Sequence, residues 1–74
     1  MRSTPLDSQW EHLMSLCQRE KEYRSEQRHP KLVKFVSKQI DEIAGEMGFS
    51  ERQIQRREFR AERDNGRITR LIIE

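Results

Sequence analysis

Leu32, Val36, Ile40, Ile43 and Met47 recur at three- and four-residue spacing, with Val33 and Ala44 at the margin of the same stripe. That is the helical period, and a stripe this long leaves the chain little choice. The segment from about Lys31 to Met47 has to be an amphipathic helix with one face on a core. Lys34, Lys38, Asp41 and Glu42 occupy its other side. Both ends are marked. Arg28-His29-Pro30 precedes it, and proline disfavours the α conformation in the residue before it while suiting the first position of a helix. Gly48 follows, placed to cap the helix in the left-handed conformation.

The flanking segments are read in the same way. Trp10, Leu13, Met14 and Cys17 fall at i, i+3, i+4 and i+7, which is one helical face, with Trp10 as its anchor on the core. Ser8 and Glu11 stand at capping-box spacing, so this first helix is expected to begin near Ser8, leaving residues 1–7 as a mobile arm. From Gln18 to Gln27 only Tyr23 is apolar, so that half of the helix is expected to project into solvent or lie on a partner. Beyond Gly48, Ser50 and Gln53 form a second capping-box spacing, and Phe49 with Ile54 suits a hydrophobic staple. A third helix is therefore predicted to start near Glu51.

Where that helix ends has two readings. Asp64-Asn65-Gly66 is a strong turn signal. Either the helix continues to Arg63 and Asn65-Gly66 stops it, or it ends near Arg57 and Glu58–Asp64 pairs with Arg67–Ile73 as a hairpin. Arg, Glu and Ala in residues 57–63 favour helix over strand, so the longer helix is preferred. Residues 67–73 then form a short strand with no partner in their own chain, stabilised by another copy, a partner protein or the helical core.

Composition bounds what these elements can build. Leu, Ile, Val and Phe supply 16 of 74 residues, close to the lower limit for a folded chain, so residues 8–74 make one small domain. The longest apolar run is Leu71-Ile72-Ile73, too short to span a membrane, and Met1-Arg2-Ser3-Thr4-Pro5 leads into no signal-peptide core. One cysteine, Cys17, excludes an internal disulfide, and a cytoplasmic location is expected. The net charge of +2 conceals a polarity. Residues 1–51 carry eight basic and nine acidic side chains, whereas residues 52–70 carry seven arginines against Glu58, Glu62 and Asp64. Arginine's planar fork suits phosphates, base edges and carboxylates.

Ile40, Ile43, Ala44, Met47, Gly48, Phe49, Ser50 and Ile54 carry a resemblance. A small residue where two helices cross, a glycine four residues on, apolar residues around them and an aliphatic on the second helix resemble the helix-turn-helix of bacterial and phage transcription regulators. The match spans residues 40–59. One position departs: Arg57 stands where the family usually has an aliphatic, and Phe59 can take that place only if the helix rotates or ends early. The resemblance implies that helix 3 is a recognition helix entering the major groove of double-stranded DNA. Arg52, Gln53, Gln55 and Arg56 would then meet base edges, because arginine suits guanine and glutamine suits adenine. Arg60, Arg63, Arg67 and Arg70 would hold phosphates or line a wing, and Lys31, Lys34 and Lys38 would add backbone contacts from helix 2.

A charge of +2 is modest for a DNA binder, which points to weak binding as a monomer, to a homodimer, or to a protein target. Small charged phage or plasmid proteins also act on large host machines such as RNA polymerase. Here Arg70, Leu71 and Ile73 on a free strand would serve that docking by strand addition. A purely structural dimer is a third option. No metal or cofactor is expected, since His12, His29 and Cys17 fit no zinc spacing. No Gly-rich phosphate loop and no paired nucleophile and base are present, so an enzyme is not expected. The reading is a mainly α, three-helix helix-turn-helix domain with a short C-terminal strand or hairpin. Its function would be transcription regulation through an Arg-rich DNA-binding helix.

Overall fold

In the computed structural model, which describes residues 5–74, three helices precede a hairpin: α1 (Pro5–Ser25), α2 (Pro30–Met47), α3 (Glu51–Arg56), β1 (Ala61–Asp64) and β2 (Arg67–Leu71). α1 begins three residues before the expected capping box. Pro5 lacks the amide hydrogen that a first helical turn leaves unused, and Asp7 places negative charge beside the positive end of the helix. Residues 5–7 therefore belong to the helix rather than to an arm, and residues 1–4 of that expected arm lie outside the described residues. The Asp7 carboxylate also accepts the Ile68 N–H at 3.0 Å, which ties the start of α1 to β2.

α1 and α2 fold back on each other as an αα-hairpin. Trp10, Leu13 and Leu16 of α1 meet Val36, Ile40 and Ala44 of α2 in the core, joined by Phe49 and Ile68. The buried face of α1 is rotated from the expected stripe. Trp10 and Leu13 are buried as expected, Leu13 completely, but Leu16 and Glu20 join them while Met14 and Cys17 are only half-buried. Most of the Gln18–Gln27 half is exposed, as expected, but Glu20 is 4% exposed and Tyr23 half-buried, so one edge of it packs inward. At the turn, His29 caps α2 by accepting the Lys31 N–H on Nδ1 at 3.1 Å. On the outer side of α2, Phe35 is 61% exposed and Leu32 40% exposed, so the end of the apolar stripe reaches solvent.

All three helices close in the same way. Gln27, Gly48 and Arg57 have positive φ, and the next amide reaches back five residues: Arg28 N–H to Tyr23, Phe49 N–H to Ala44 and Glu58 N–H to Gln53. This is the Schellman ending, which satisfies carbonyls that a helix otherwise leaves open. Only Gly48 was legible beforehand, because only there does the sequence carry glycine.

The ending at Arg57 decides between the two readings of the third helix. α3 stops at Arg56, and the preferred continuation to Arg63 does not occur. Residues 61–64 pair antiparallel with 67–71, and Asn65 and Gly66 both adopt positive φ, as a two-residue hairpin turn requires. The C-terminal strand therefore has its partner within the chain. Helix propensity in residues 57–63 is outweighed by packing: Phe59, Ala61, Ile68 and Leu71 all reach the core only through the hairpin. The register slips between Glu62 and Arg63, leaving Thr69 as a bulge whose hydroxyl donates to the Glu62 carbonyl. Among the described residues, no helix is long and apolar enough to cross a membrane.

Gly48 adopts φ 103° with no atom within 4 Å of where a β-carbon would stand, so its constraint is backbone conformation alone. Gly48→Ala is expected to lower stability by about 1–2 kcal/mol. In thermal denaturation followed by circular dichroism this is a fall of roughly 5–15 °C in melting temperature.

Candidate functional site

The corner between α2 and α3 is built around two polar residues. Gln53 occupies the third position of α3, where the capping box forms as expected: its amide donates to Ser50 Oγ at 3.2 Å, and its Oε1 accepts the Ser50 N–H at 3.2 Å. The same side chain reaches further. Its Nε2 donates to the Ile72 carbonyl at 2.9 Å, and Oε1 also accepts the Glu74 N–H at 3.1 Å. Gln53 is fully buried. It fastens the C-terminal residues to the start of α3 and cannot meet a base edge, which removes it from the expected base-reading set.

Arg57 is the second. It stands just past α3, in the left-handed conformation, and turns inward. Its Nε and Nη2 donate to Glu20 Oε1 and Oε2, both at 3.2 Å, a two-pronged pair across α1 and α3. Nη1 donates to Asp41 at 3.0 Å and to the Ile54 carbonyl at 2.6 Å, and Nη2 donates to Ser37 Oγ at 2.8 Å. One guanidinium thus joins three helices. Arg24, one turn along α1, adds a longer contact to Glu20 at 3.5 Å. Burial by itself would raise the Glu20 carboxyl. The hydrogen bonds and charge of Arg57, supported by Arg24 and Ser37, outweigh it and hold the group below its ordinary range. Among the described residues, no buried side-chain nitrogen or oxygen lacks a partner.

Arg57 is the position where an aliphatic was expected. Its charge is accommodated because α3 ends there. Phe59 then comes round to fill the apolar place, with its ring centroid 5.0 Å from Phe49, which in turn lies 6.4 Å from Trp10. Sequence reasoning missed this network. The signal was present as two anomalies, a charged residue on a core position and an otherwise polar half of α1, that answer each other.

The remaining arginines divide by what holds them. Arg70 faces Glu62 across the hairpin with contacts of 2.8 and 3.0 Å, so it is engaged at the surface. Arg52, Arg56, Arg60, Arg63 and Arg67 are exposed and form no salt bridge among the described residues. Arg52, Gln55 and Arg56 lie on α3 and Arg60 on its connection to β1. Arg63 and Arg67 flank the hairpin turn. Arg63 also lines a small polar depression with Asp7, Trp10 and Glu11, beside two carboxylates. Lys34 and Lys38 are exposed on α2 but stand apart, about 21 and 15 Å along the helix axis from Gly48 at 1.5 Å per residue. Leu71 is half-buried opposite Ala61, and Ile73 is 48% exposed. Of the residues expected for strand addition, Arg70 and Leu71 are therefore already paired in the chain's own hairpin, with Glu62 and Ala61.

No protein-family model, curated protein or solved structure matches the chain.

Two consequences follow for stability. Glu20 has a depressed folded-state pKa, so its contribution is present above the unfolded-state value of about 4.3 and is lost as pH falls through the folded value. Glu20→Gln leaves Arg57 without its main partner. We expect it to lower stability at neutral pH by about 2–3 kcal/mol and to flatten the acid limb of the pH–stability curve, measured by urea denaturation. Gln53→Ala exposes the Ile72 carbonyl and the Glu74 amide. It is expected to cost about 2 kcal/mol in the same assay, a stability effect and not a change of ligand preference.

Proposed function

We propose that the chain is a small, non-enzymatic transcription regulator of the cytoplasm that binds double-stranded DNA without a cofactor. In this reading α2, the Gly48 turn and α3 act as a helix-turn-helix, and the β1–β2 hairpin acts as its wing. The observation that carries it is the division of the arginines. Two of the seven in residues 52–70 are engaged, Arg57 inside the corner and Arg70 on the hairpin. The other five are exposed along one continuous stretch of chain, from α3 through the hairpin turn, with no salt bridge among the described residues. Glu51, Glu58 and Asp64 likewise form no salt bridge among the described residues, so the five arginines keep their forks available to phosphates or base edges.

The burial of Gln53 narrows the base-reading set to Arg52, Gln55 and Arg56. Arg60, Arg63 and Arg67 are assigned to phosphates, because exposed arginines outside the recognition helix position a protein on the backbone without reading bases. The hairpin tip itself lies beside the start of α1, where Arg63, Gly66 and Ile68 border Asp7, Trp10 and Glu11. The rival reading, docking on a host protein such as RNA polymerase, rests on the Arg-rich segment, the half-polar first helix, the modest net charge and an unpaired strand. The hairpin supplies that strand's partner and so takes away one of these supports.

Trp10 is buried, which makes its fluorescence a poor reporter of a ligand on α3. Fluorescence anisotropy of labelled duplexes at low salt is the suitable assay. Arg52→Ala/Arg56→Ala is expected to weaken binding to a selected site by about 2–4 kcal/mol while the fold persists. Arg63→Ala/Arg67→Ala is expected to weaken binding to all sequences alike and to reduce the slope of log K against log salt by about 2. Absence of salt-sensitive binding to any duplex would remove the proposal.

A further inference from the structure

One flank of α2 lies between the core and solvent, apart from the arginine stretch. Leu32, Phe35, Gln39 and Ile43 follow one another at helical spacing along it; Ile43 is half-buried against the core, Gln39 is half-buried, and Phe35 is the most exposed large apolar side chain among the described residues. The charges bordering this strip are sorted by position. Lys31, Lys34 and Lys38 lie in the first half of the helix, and Asp41, Glu42 and Glu46 in the second. Asp41 is taken up by Arg57. Lys31, Lys34, Lys38, Glu42 and Glu46 form no salt bridge among the described residues. Lys34 and Lys38 stand at i, i+4, as do Glu42 and Glu46, and like charges at that spacing destabilise a lone helix; Lys38 and Glu42 are the one opposite pair at that spacing, where the two halves meet.

A surface with one positive half, one negative half and an apolar strip running through both selects its partner narrowly. A polyanion would match the lysine half and be repelled by the glutamates. A basic partner would meet the reverse. A parallel copy would set lysine on lysine. An antiparallel copy satisfies both halves at once, and it does so twice, because a two-fold axis repeats every contact.

We propose that α2 pairs with α2 of a second copy of this chain, antiparallel about a two-fold axis near Lys38 and Gln39. Leu32 and Phe35 of each copy pack over Gln39 and Ile43 of the other. Lys31 then faces Glu46 of the second copy, and Lys38 comes beside its Glu42. Lys34 lies about 100° around the helix from Phe35 and stays outside the seam. Self-association of this kind needs no DNA and does not depend on the reading of α3.

Sedimentation velocity of the purified chain tests it. The wild type, 9.0 kDa as a monomer, is expected to dimerise with a Kd on the order of 100 µM, since one helix face makes a small interface. The double variants Lys31→Glu/Lys38→Glu and Glu42→Lys/Glu46→Lys are each expected to weaken self-association about tenfold or more. An equimolar mixture of the two should regain dimers, because each reversed face then meets its complement. Phe35→Ala should also weaken the dimer, with helix content unchanged by circular dichroism. A wild type that remains monomeric up to about 1 mM would overturn the proposal and leave the face to a different partner. Dimers insensitive to both reversals, or a mixture that associates no better than its components, would overturn the antiparallel pairing.

Discussion

One guanidinium holds the fold at its corner. Arg57 sits where α1, α2 and α3 converge and donates to Glu20, Asp41, Ser37 and the Ile54 carbonyl. An ion pair this enclosed is not necessarily more stable than apolar residues of the same shape, since both charges lose water. Its effect is specificity. With Glu20 buried, the arrangement that brings Arg57 onto it supplies a two-pronged partner that the single longer contact from Arg24 does not. The pairing therefore sets the angle at which α3 leaves α2, and it makes a left-handed backbone tolerable at a residue that is not glycine.

Everything C-terminal follows from that ending. Because α3 stops at Arg56, the residues that favour helix by propensity are released into β1 and its approach. Phe59 turns back onto Phe49, and the hairpin brings Ala61, Ile68 and Leu71 to the core. For a chain with so few aliphatic and phenylalanine side chains, this recruitment matters: α1 and α2 alone would present a core open on one side. Two polar ties complete the closure. Asp7 holds β2 to the start of α1, and Gln53 holds the C-terminal residues to the start of α3. Both are charged or amide side chains satisfying backbone groups that a two-stranded sheet leaves open.

The near-neutral total charge resolves into three functional populations. Some charges are internal and structural, as at Arg57 and Glu20. Others are paired at the surface, as at Arg70 and Glu62. A third set forms no salt bridge among the described residues, notably the arginines of α3 and the hairpin turn and the divided lysines and glutamates of α2. These two groups differ in kind. One is predominantly basic, five arginines against Glu51, Glu58 and Asp64, and is the group assigned to a polyanion in the proposal. The other carries both signs in sequence order and suits a copy of itself.

By itself the sequence determined the local features. The stripe from Leu32 to Met47 specified α2, Gly48 specified its end, Ser50 with Gln53 specified the start of α3, and Asn65-Gly66 specified a turn. Each of these depends on residues within a few positions of one another, so periodicity and backbone preference suffice to read them. Tertiary structure decided what depends on distant partners. Arg57 ends α3 because Glu20, 37 residues away, receives it. Gln53 is a core residue because Ile72 and Glu74 return to it, although its type and position suited base reading equally well. The C-terminal strand is partnered because Phe59 and Ile68 gain more from the core than residues 57–63 gain from staying helical. In each case a weak local preference met a long-range contact that desolvates polar or apolar surface, and the long-range term was the larger.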